Sequence, residues 1–255
     1  MKSELLNLGF ISIKWYSVLI LLAFTIGYYL VINRCKKENL KVSLISDMCF
    51  YLVIVSILGA RIYYCIFEYK YYINNPLEII QIWNGGLAIH GGIITGIIFI
   101  YCYTKKHKIN MIQLLDIFAP ALVLGQAIGR WGNFFNSEAF GPVTTLTTLK
   151  NLHIPSFIID GMYIDQNYHH PTFFYESIGC LIIFIILIVY RNTKVKKEGQ
   201  IVGIYFILYG IIRFLIESLR TDSLMFFNFK VAQIISIIMV IIGLILFIKP
   251  LKKKI

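Results

Sequence analysis

The segment Gly129-Arg-Trp-Gly-Asn-Phe-Phe-Asn-Ser-Glu-Ala-Phe-Gly141 places Arg130, Asn133, Asn136 and Glu138 at the end of an apolar run. Further along, Tyr209, Arg213 and Glu217 recur every four residues, which sets them on one face of a helix. Arg61 is a third arginine in apolar surroundings. Charged groups are costly in hydrocarbon and usually mark function there. A guanidinium offers a planar fork that matches phosphate oxygens and keeps its charge when partly desolvated, so three of them point to a phosphate. Arg213 and Glu217 also read as a structural ion pair, but a lone pair leaves Arg61 and Arg130 without a task. His90 lies between Gly85-Gly86 and Gly91-Gly92. It is either a polar cap at an interface or a general base, since an ordinary imidazole titrates near neutrality.

These residues need a scaffold, and composition names its class. The chain is 58% hydrophobic and 15% charged, with a mean hydropathy of +0.74, the profile of a polytopic membrane protein. Apolar runs over 13–33, 44–67, 87–104, 111–130, 172–190, 201–219 and 232–248 predict about seven spanning helices. The first run lacks a small-residue cleavage site and is followed by further spans, so it reads as a retained helix. The expectation is an all-α integral membrane protein, a single polytopic domain over residues 1–255, with 131–171 forming a small external cap.

A net charge of +11 does not signal nucleic acid here. The basic residues gather in the connections Arg34/Lys36/Lys37/Lys41, Lys105/Lys106/Lys108, Arg191/Lys194/Lys196/Lys197 and the tail Lys249/Lys252/Lys253/Lys254. They alternate along the chain as the positive-inside rule requires, which expects the amino terminus outside and the carboxyl terminus in the cytoplasm. With that topology Tyr16, Arg61, His90, Arg130, His170, Glu176, Tyr209, Arg213, Glu217 and Arg220 all fall towards the outer side, and Asp116 falls towards the cytoplasmic side.

Other chemistries find little support. Cys35, Cys49, Cys65, Cys102 and Cys180 are scattered without C-x-x-C pairing, so neither disulfides nor a thiol nucleophile are expected. His153, His169 and His170 near Asp160 and Asp165 match no usual metal-ligand spacing, and neither a metal nor another cofactor is expected. There is no Gly-x-Ser-x-Gly elbow for a serine hydrolase.

The signature over Gly129–Gly141 matches Gly-Arg-x-Gly-Asn-Phe-x-Asn-x-Glu-x-x-Gly, and the chain resembles the bacterial prolipoprotein diacylglyceryl transferases. Further resemblances lie in Trp15-Tyr16, Gly59-Ala-Arg61-Ile-Tyr-Tyr64, Trp83 through Gly92, and Tyr209 through Arg220, so the likeness covers nearly the whole chain. The segment His169-His170-Pro171-Thr-Phe-Phe-Tyr175-Glu176 is similar to the family's Arg-His-Pro-Ser-Gln-Leu-Tyr-Glu but departs from it. His169 stands for Arg, and Phe173-Phe174 for Gln-Leu. Trp131 replaces a common Ile, with an altered fit to acyl chains as its expected effect.

The resemblance implies a multi-pass protein of the bacterial cell membrane with its site towards the extracytoplasmic side. Its implied partners are phosphatidylglycerol, a prolipoprotein signal peptide carrying a lipobox cysteine, and membrane lipids. The implied reaction transfers a diacylglyceryl group to the cysteine thiol and releases glycerol phosphate. On this reading Arg130 and Arg213 hold the phosphate and His90 is the base, or else hydrogen-bonds the glycerol. Tyr16, Arg61, Asn133, Asn136, Glu138, Gly141, Tyr209 and Glu217 bind the substrate or orient the arginines. The alternative is a transporter or lipid-handling protein that binds an anionic head group. Against it, the chain shows no inverted halves, and its polar residues lie at one side rather than the midplane.

Overall fold

The computed structural model describes residues 4–7, 12–193, 197–221 and 223–249. Lys194, Lys196, Lys252, Lys253 and Lys254 lie outside the described residues. The protein is helical throughout its apolar runs. Among the described residues six helices are long and apolar enough to cross a membrane: α1 (Trp15–Lys37), α2 (Val42–Phe67), α5 (Met111–Asn136), α8 (Thr172–Arg191), α9 (Gln200–Leu219) and α10 (Val231–Ile248). The remaining expected run forms α4 (Ile89–Lys106), which carries His90, three glycines and two terminal lysines and does not reach the hydropathy of the others. The chain is an all-α, multi-pass membrane protein. Its apolar side chains face outwards as well as inwards: Ile235, Ile238, Ile242 and Ile245 of α10 are all exposed, as suits a helix set in lipid.

The chain divides into two compact units, one of Met1–Val31 with Leu115–Ile255 and the other of Ile32–Leu114. The first is built on α5, α8 and α9. Ala119, Val123 and Ala127 of α5 pack with Cys180, Ile183 and Leu187 of α8 and with Ile201, Val202, Tyr205 and Tyr209 of α9. Each set recurs at three- or four-residue steps, the spacing that lines up one helix face. Helix α10 lies against α9 with little between the backbones: a Cβ on Gly243 would sit 2.7 Å from the Gly203 carbonyl. Small residues at such crossings allow dispersion contacts where lipid supplies no hydrophobic drive.

One end of this unit is pinned by Asp116. Proline at position 120 has no N–H for the carbonyl four residues back, and Arg191 of α8 donates to that freed Asp116 carbonyl at 2.9 Å. The Asp116 carboxylate meanwhile accepts from the N–H groups of Gly199 and Val202 at 2.7 and 2.8 Å, capping the start of α9. Asp116 is buried, so an Asp116→Ala change strands two donors. It is expected to cost about 1–3 kcal/mol and to lower the thermal midpoint in detergent. Wild-type melting would contradict this assignment.

At the far end of α5 the chain does not leave the helix at Trp131, where the cap was expected to begin. It continues to Asn136, because Ser137 takes the left-handed conformation (φ +52°) and closes a Schellman motif. Glu138 N–H donates to Asn133 O and Ser137 N–H to Phe134 O. The cap proper then contains β3 (Val143–Thr144), α6 (Leu146–Asn151), α7 (Ser156–Gly161), β4 (Tyr163–Ile164) and β5 (Asn167–His169). Strand β5 is central and antiparallel to both neighbours. The β4–β5 turn places Asp165 and Gln166 both at positive φ, as a tight primed hairpin requires.

The cap has its own core of Leu149, Ile154, Ile158, Ile159 and Met162, seated on Phe134 of α5 and Phe173 of α8. The departures from the family pattern meet here. Phe173 stacks on Phe134 at 4.8 Å, and Trp131 packs edge-on to Phe173 at 5.4 Å and to Phe174 at 6.3 Å. Trp131 thus packs against the cap, stacking on Phe157 of α7 as well. His169 contacts the Gly141 carbonyl through Nδ1 at 2.9 Å, with its ring 4.5 Å from that of Phe140.

The second unit packs α2 against α4. A Cβ on Gly91 would lie 2.4 Å from the Gly59 carbonyl, so the first turn of α4 rests on the α2 backbone. Between them run α3 (Tyr69–Asn74) and two short 3-10 turns, Pro76–Ile80 and Ile82–Asn84.

Candidate active site

In the first unit the polar groups converge on Glu176, in the opening turns of α8. Its side chain is 2% exposed. Oε1 lies 2.8 Å from Arg130 Nη2 and accepts from the Tyr209 hydroxyl at 3.3 Å. Oε2 accepts from Arg213 Nη1 at 3.3 Å. One carboxylate therefore joins α5, α8 and α9. Arg213 Nη2 approaches Glu217 Oε2 to 2.6 Å, one helical turn on. The Arg213–Glu217 pair read from i, i+4 spacing is present, but it belongs to a four-membered cluster rather than standing alone.

Two guanidiniums and two carboxylates leave the cluster formally neutral. Burying such a set is tolerable only because each charge has a partner. Arg130 and Arg213 nevertheless keep side-chain exposures of 21% and 16%. Each guanidinium carries five N–H donors, and the contacts with Glu176, Glu217 and Asn133 use only some of them. The arrangement joins two partly exposed guanidiniums through one buried carboxylate.

The signature residues form a second layer around Arg130. Asn133 Oδ1 lies 3.5 Å from Arg130 Nη1, and its amide nitrogen donates to Glu138 Oε1 at 2.9 Å. Asn136 donates to the same oxygen at 3.3 Å. The Schellman turn makes this possible by folding Glu138 back over the helix end. Gly141 is buried where two segments cross: its N–H donates to the His170 carbonyl at 2.9 Å, and a Cβ would come within 2.8 Å of His170 Cβ. Tyr16, 39% exposed, lies on Gly132, with no space for a side chain between them.

Beneath Tyr209 the polar lane continues. Tyr205 stacks on Tyr209 with centroids 5.6 Å apart and accepts from Gln126 Nε2 at 3.0 Å.

In the second unit, His90 is exposed at the start of α4, its ring centroid 6.4 Å from that of Tyr63. Arg61 is 6% exposed and lines a cavity of about 320 Å³ with Tyr64, Glu68, Tyr71, Tyr72 and Glu78. Its donors turn to backbone carbonyls rather than to open space. Glu78 accepts from the Tyr71 hydroxyl at 2.7 Å and so raises that phenol above its ordinary pKa. Among the described residues no group of three or more His, Cys, Asp or Glu side chains is placed to hold a metal ion, and all five cysteines are free.

Sequence reasoning placed Glu176 in the right neighbourhood but gave it no task. The signal available was stoichiometric: Arg130 and Arg213 needed more negative charge than Glu217 supplies, and Glu176 is the carboxylate at the head of a neighbouring apolar run.

Comparison with known proteins bears on the same residues. A sequence model described as prolipoprotein diacylglyceryl transferase matches residues 3–249. A phosphatidylglycerol–prolipoprotein diacylglyceryl transferase of Staphylococcus haemolyticus is 46% identical over 243 residues, 95% of this chain and 86% of the relative. The protein of the same description from Listeria monocytogenes serotype 4b is 43% identical over 239 residues, 94% of this chain and 86% of its own. With Arg130, Glu176 and Arg213 gathered at one point of a multi-pass helical protein, the match spans both scaffold and cluster, and the chain belongs to the prolipoprotein diacylglyceryl transferase family.

Proposed function

We propose that this protein transfers the sn-1,2-diacylglyceryl group of phosphatidylglycerol to the lipobox cysteine of a prolipoprotein, as the family's name describes. The observation that carries the reading is the pair Arg130 and Arg213 bridged by the buried carboxylate of Glu176. In the reaction the cysteine thiolate attacks the glyceryl carbon that bears the phosphate. A carbon–sulfur bond forms, the carbon–oxygen bond breaks, and its electron pair leaves with glycerol phosphate. Negative charge on the phosphate grows as that bond opens. Arg130 and Arg213 stabilise this growing charge, a contribution of about 2.7–4 kcal/mol for one well-placed donor.

The thiolate is the true nucleophile, so the thiol proton must go to a base, and we assign that role to His90. Asn133, Asn136 and Glu138 orient Arg130, while Tyr209 and Glu217 orient the Glu176–Arg213 pair. Tyr16 and Gly141 shape the surroundings of the signature. The basic connections favour a site opening to the extracytoplasmic side of a bacterial plasma membrane, with the amino terminus outside.

The test is incubation of purified protein with head-group-labelled phosphatidylglycerol and a lipobox peptide, beside a peptide whose cysteine is serine. Mass spectrometry is expected to find a diacylglyceryl adduct on the cysteine peptide alone, with equal release of glycerol phosphate. A folded preparation that binds the lipid but transfers nothing would return the cluster to anion binding without chemistry.

A further inference from the structure

Arg61 was expected among the phosphate ligands, yet its guanidinium is spent on the protein's own backbone. Nε donates to Ile79 O at 2.8 Å, Nη1 to Gly85 O at 2.8 Å and Gly86 O at 2.9 Å, and Nη2 to Glu78 O. Its Cζ lies 5.1 Å from the centre of the Tyr72 ring. Four carbonyls from two separate turns thus close on one side chain, leaving no edge for a bidentate phosphate contact. Glu78 O already accepts from Gln81 N–H at 3.0 Å and takes the guanidinium as a second donor. A buried charge needs such acceptors.

The clamp has a steric counterpart. Gly86 adopts φ +74°, and a Cβ there would fall 2.4 Å from Arg61 Nη1. Only glycine suits both the backbone angle and the space. Two residues on, Ala88 N–H donates to Ala60 O at 3.1 Å, the residue beside Arg61 on α2. Gly91 then rests on Gly59. His90 sits between these anchors. Its ring lies 6.4 Å from that of Tyr63 between centroids and no hydrogen bond joins it to another described residue, so the backbone sets where the side chain starts from the helix.

We infer that Arg61 is a positioning residue: by binding the carbonyls of residues 78, 79, 85 and 86 it folds the 76–88 segment onto α2 and fixes where α4 presents His90. This inference rests on the proposed transferase reading and on His90 as its base. A lysine cannot replace the clamp, because one ammonium point charge cannot reach four diverging carbonyls.

Arg61→Lys and Gly86→Ala in the full chain provide the test, with kcat and KM for phosphatidylglycerol measured using a lipobox peptide. Both variants are expected to lose roughly 10–100-fold in kcat, the scale of a small misplacement of a reacting group. KM for the lipid is expected to stay within about twofold, because no lipid contact is removed. Hydrogen exchange at the Ala88 amide should accelerate in both, and Arg61→Lys should cost little further in a His90→Ala background. A raised KM with kcat retained, fully additive losses with His90→Ala, or an Ala88 amide as protected as in wild type would each overturn the assignment. If Arg61→Lys does not fold, Gly86→Ala decides, since it keeps the guanidinium and moves only the clamp. A wild-type protein without transferase activity would fail the proposed function instead, and the Ala88 exchange would still report on the clamp.

Discussion

Replacing Glu176 with alanine should both destabilise the protein and abolish transfer, the largest effect expected of any single change. The carboxylate is 2% exposed and lies between Arg130 and Arg213. Its removal leaves two partly buried guanidiniums facing each other with only Glu217 to compensate. Breaking a buried ion pair by deleting one partner costs about 3–5 kcal/mol, chiefly through the charge left behind. The arginines would be expected to swing apart, and the phosphate would lose two aligned donors at once. Glu176→Gln separates the two consequences. It keeps the shape and one acceptor oxygen, so most of the fold should survive while the charge that aligns the arginines is lost. Thermal unfolding in detergent, with transfer measured on the folded fraction, reads both. A Glu176→Ala protein with wild-type melting and turnover would remove Glu176 from the account and leave the bridging geometry without consequence.

Arg130→Lys and Arg213→Lys carry the second large effect, and they act in the opposite proportion. Each keeps the positive charge within reach of Glu176, so folding should change little. Each loses the planar fork that can hold a carboxylate and a phosphate at once. Transfer is expected to fall about 10²–10³-fold in kcat, the loss seen when one well-placed donor to developing charge is removed. Part of this should appear as weaker lipid binding at Arg130, whose side chain is the more exposed of the two. Kinetics with varied phosphatidylglycerol would apportion it. Full activity at unchanged KM in either lysine variant would end the phosphate role of that arginine.

The contrast between Arg61 and Arg213 shows why residue type alone did not assign these roles. Both are arginines in apolar helices, and the same argument from desolvated charge selected both as phosphate ligands. Arg213 has a carboxylate one turn away on its own helix and another across the bundle, with N–H groups left over. Arg61 faces a loop whose carbonyls take up its donors. A backbone carbonyl has no residue identity, so nothing in the sequence distinguishes a loop that will fold over Arg61 from one that will not.

Asp116 teaches the same lesson at the other end of the first unit. As a lone acid in an apolar run it was placed by depth and left without a function. Its acceptors serve N–H groups more than eighty positions away, at the start of α9. Trp131, Phe173 and Phe174 were departures from the family pattern when read singly, and only the structure shows that they pack on one another.

What the sequence determined by itself was whatever repeats along one chain direction. Length and hydropathy of the apolar runs gave the helical membrane class, because a lipid core admits only segments that satisfy their own backbone. Four-residue spacing gave the Tyr209–Arg213–Glu217 face, because a helix brings such neighbours together whatever surrounds it. The signature and its companions gave the family. The tertiary structure decided everything that joins one element to another: Glu176 bridging Arg130 to Arg213, Arg61 closing on the loop before His90, and Asp116 capping α9. Periodicity states which side chains share a face of one helix. Which faces then meet depends on packing and on the pairing of every buried charge, and those are settled only when the whole chain folds.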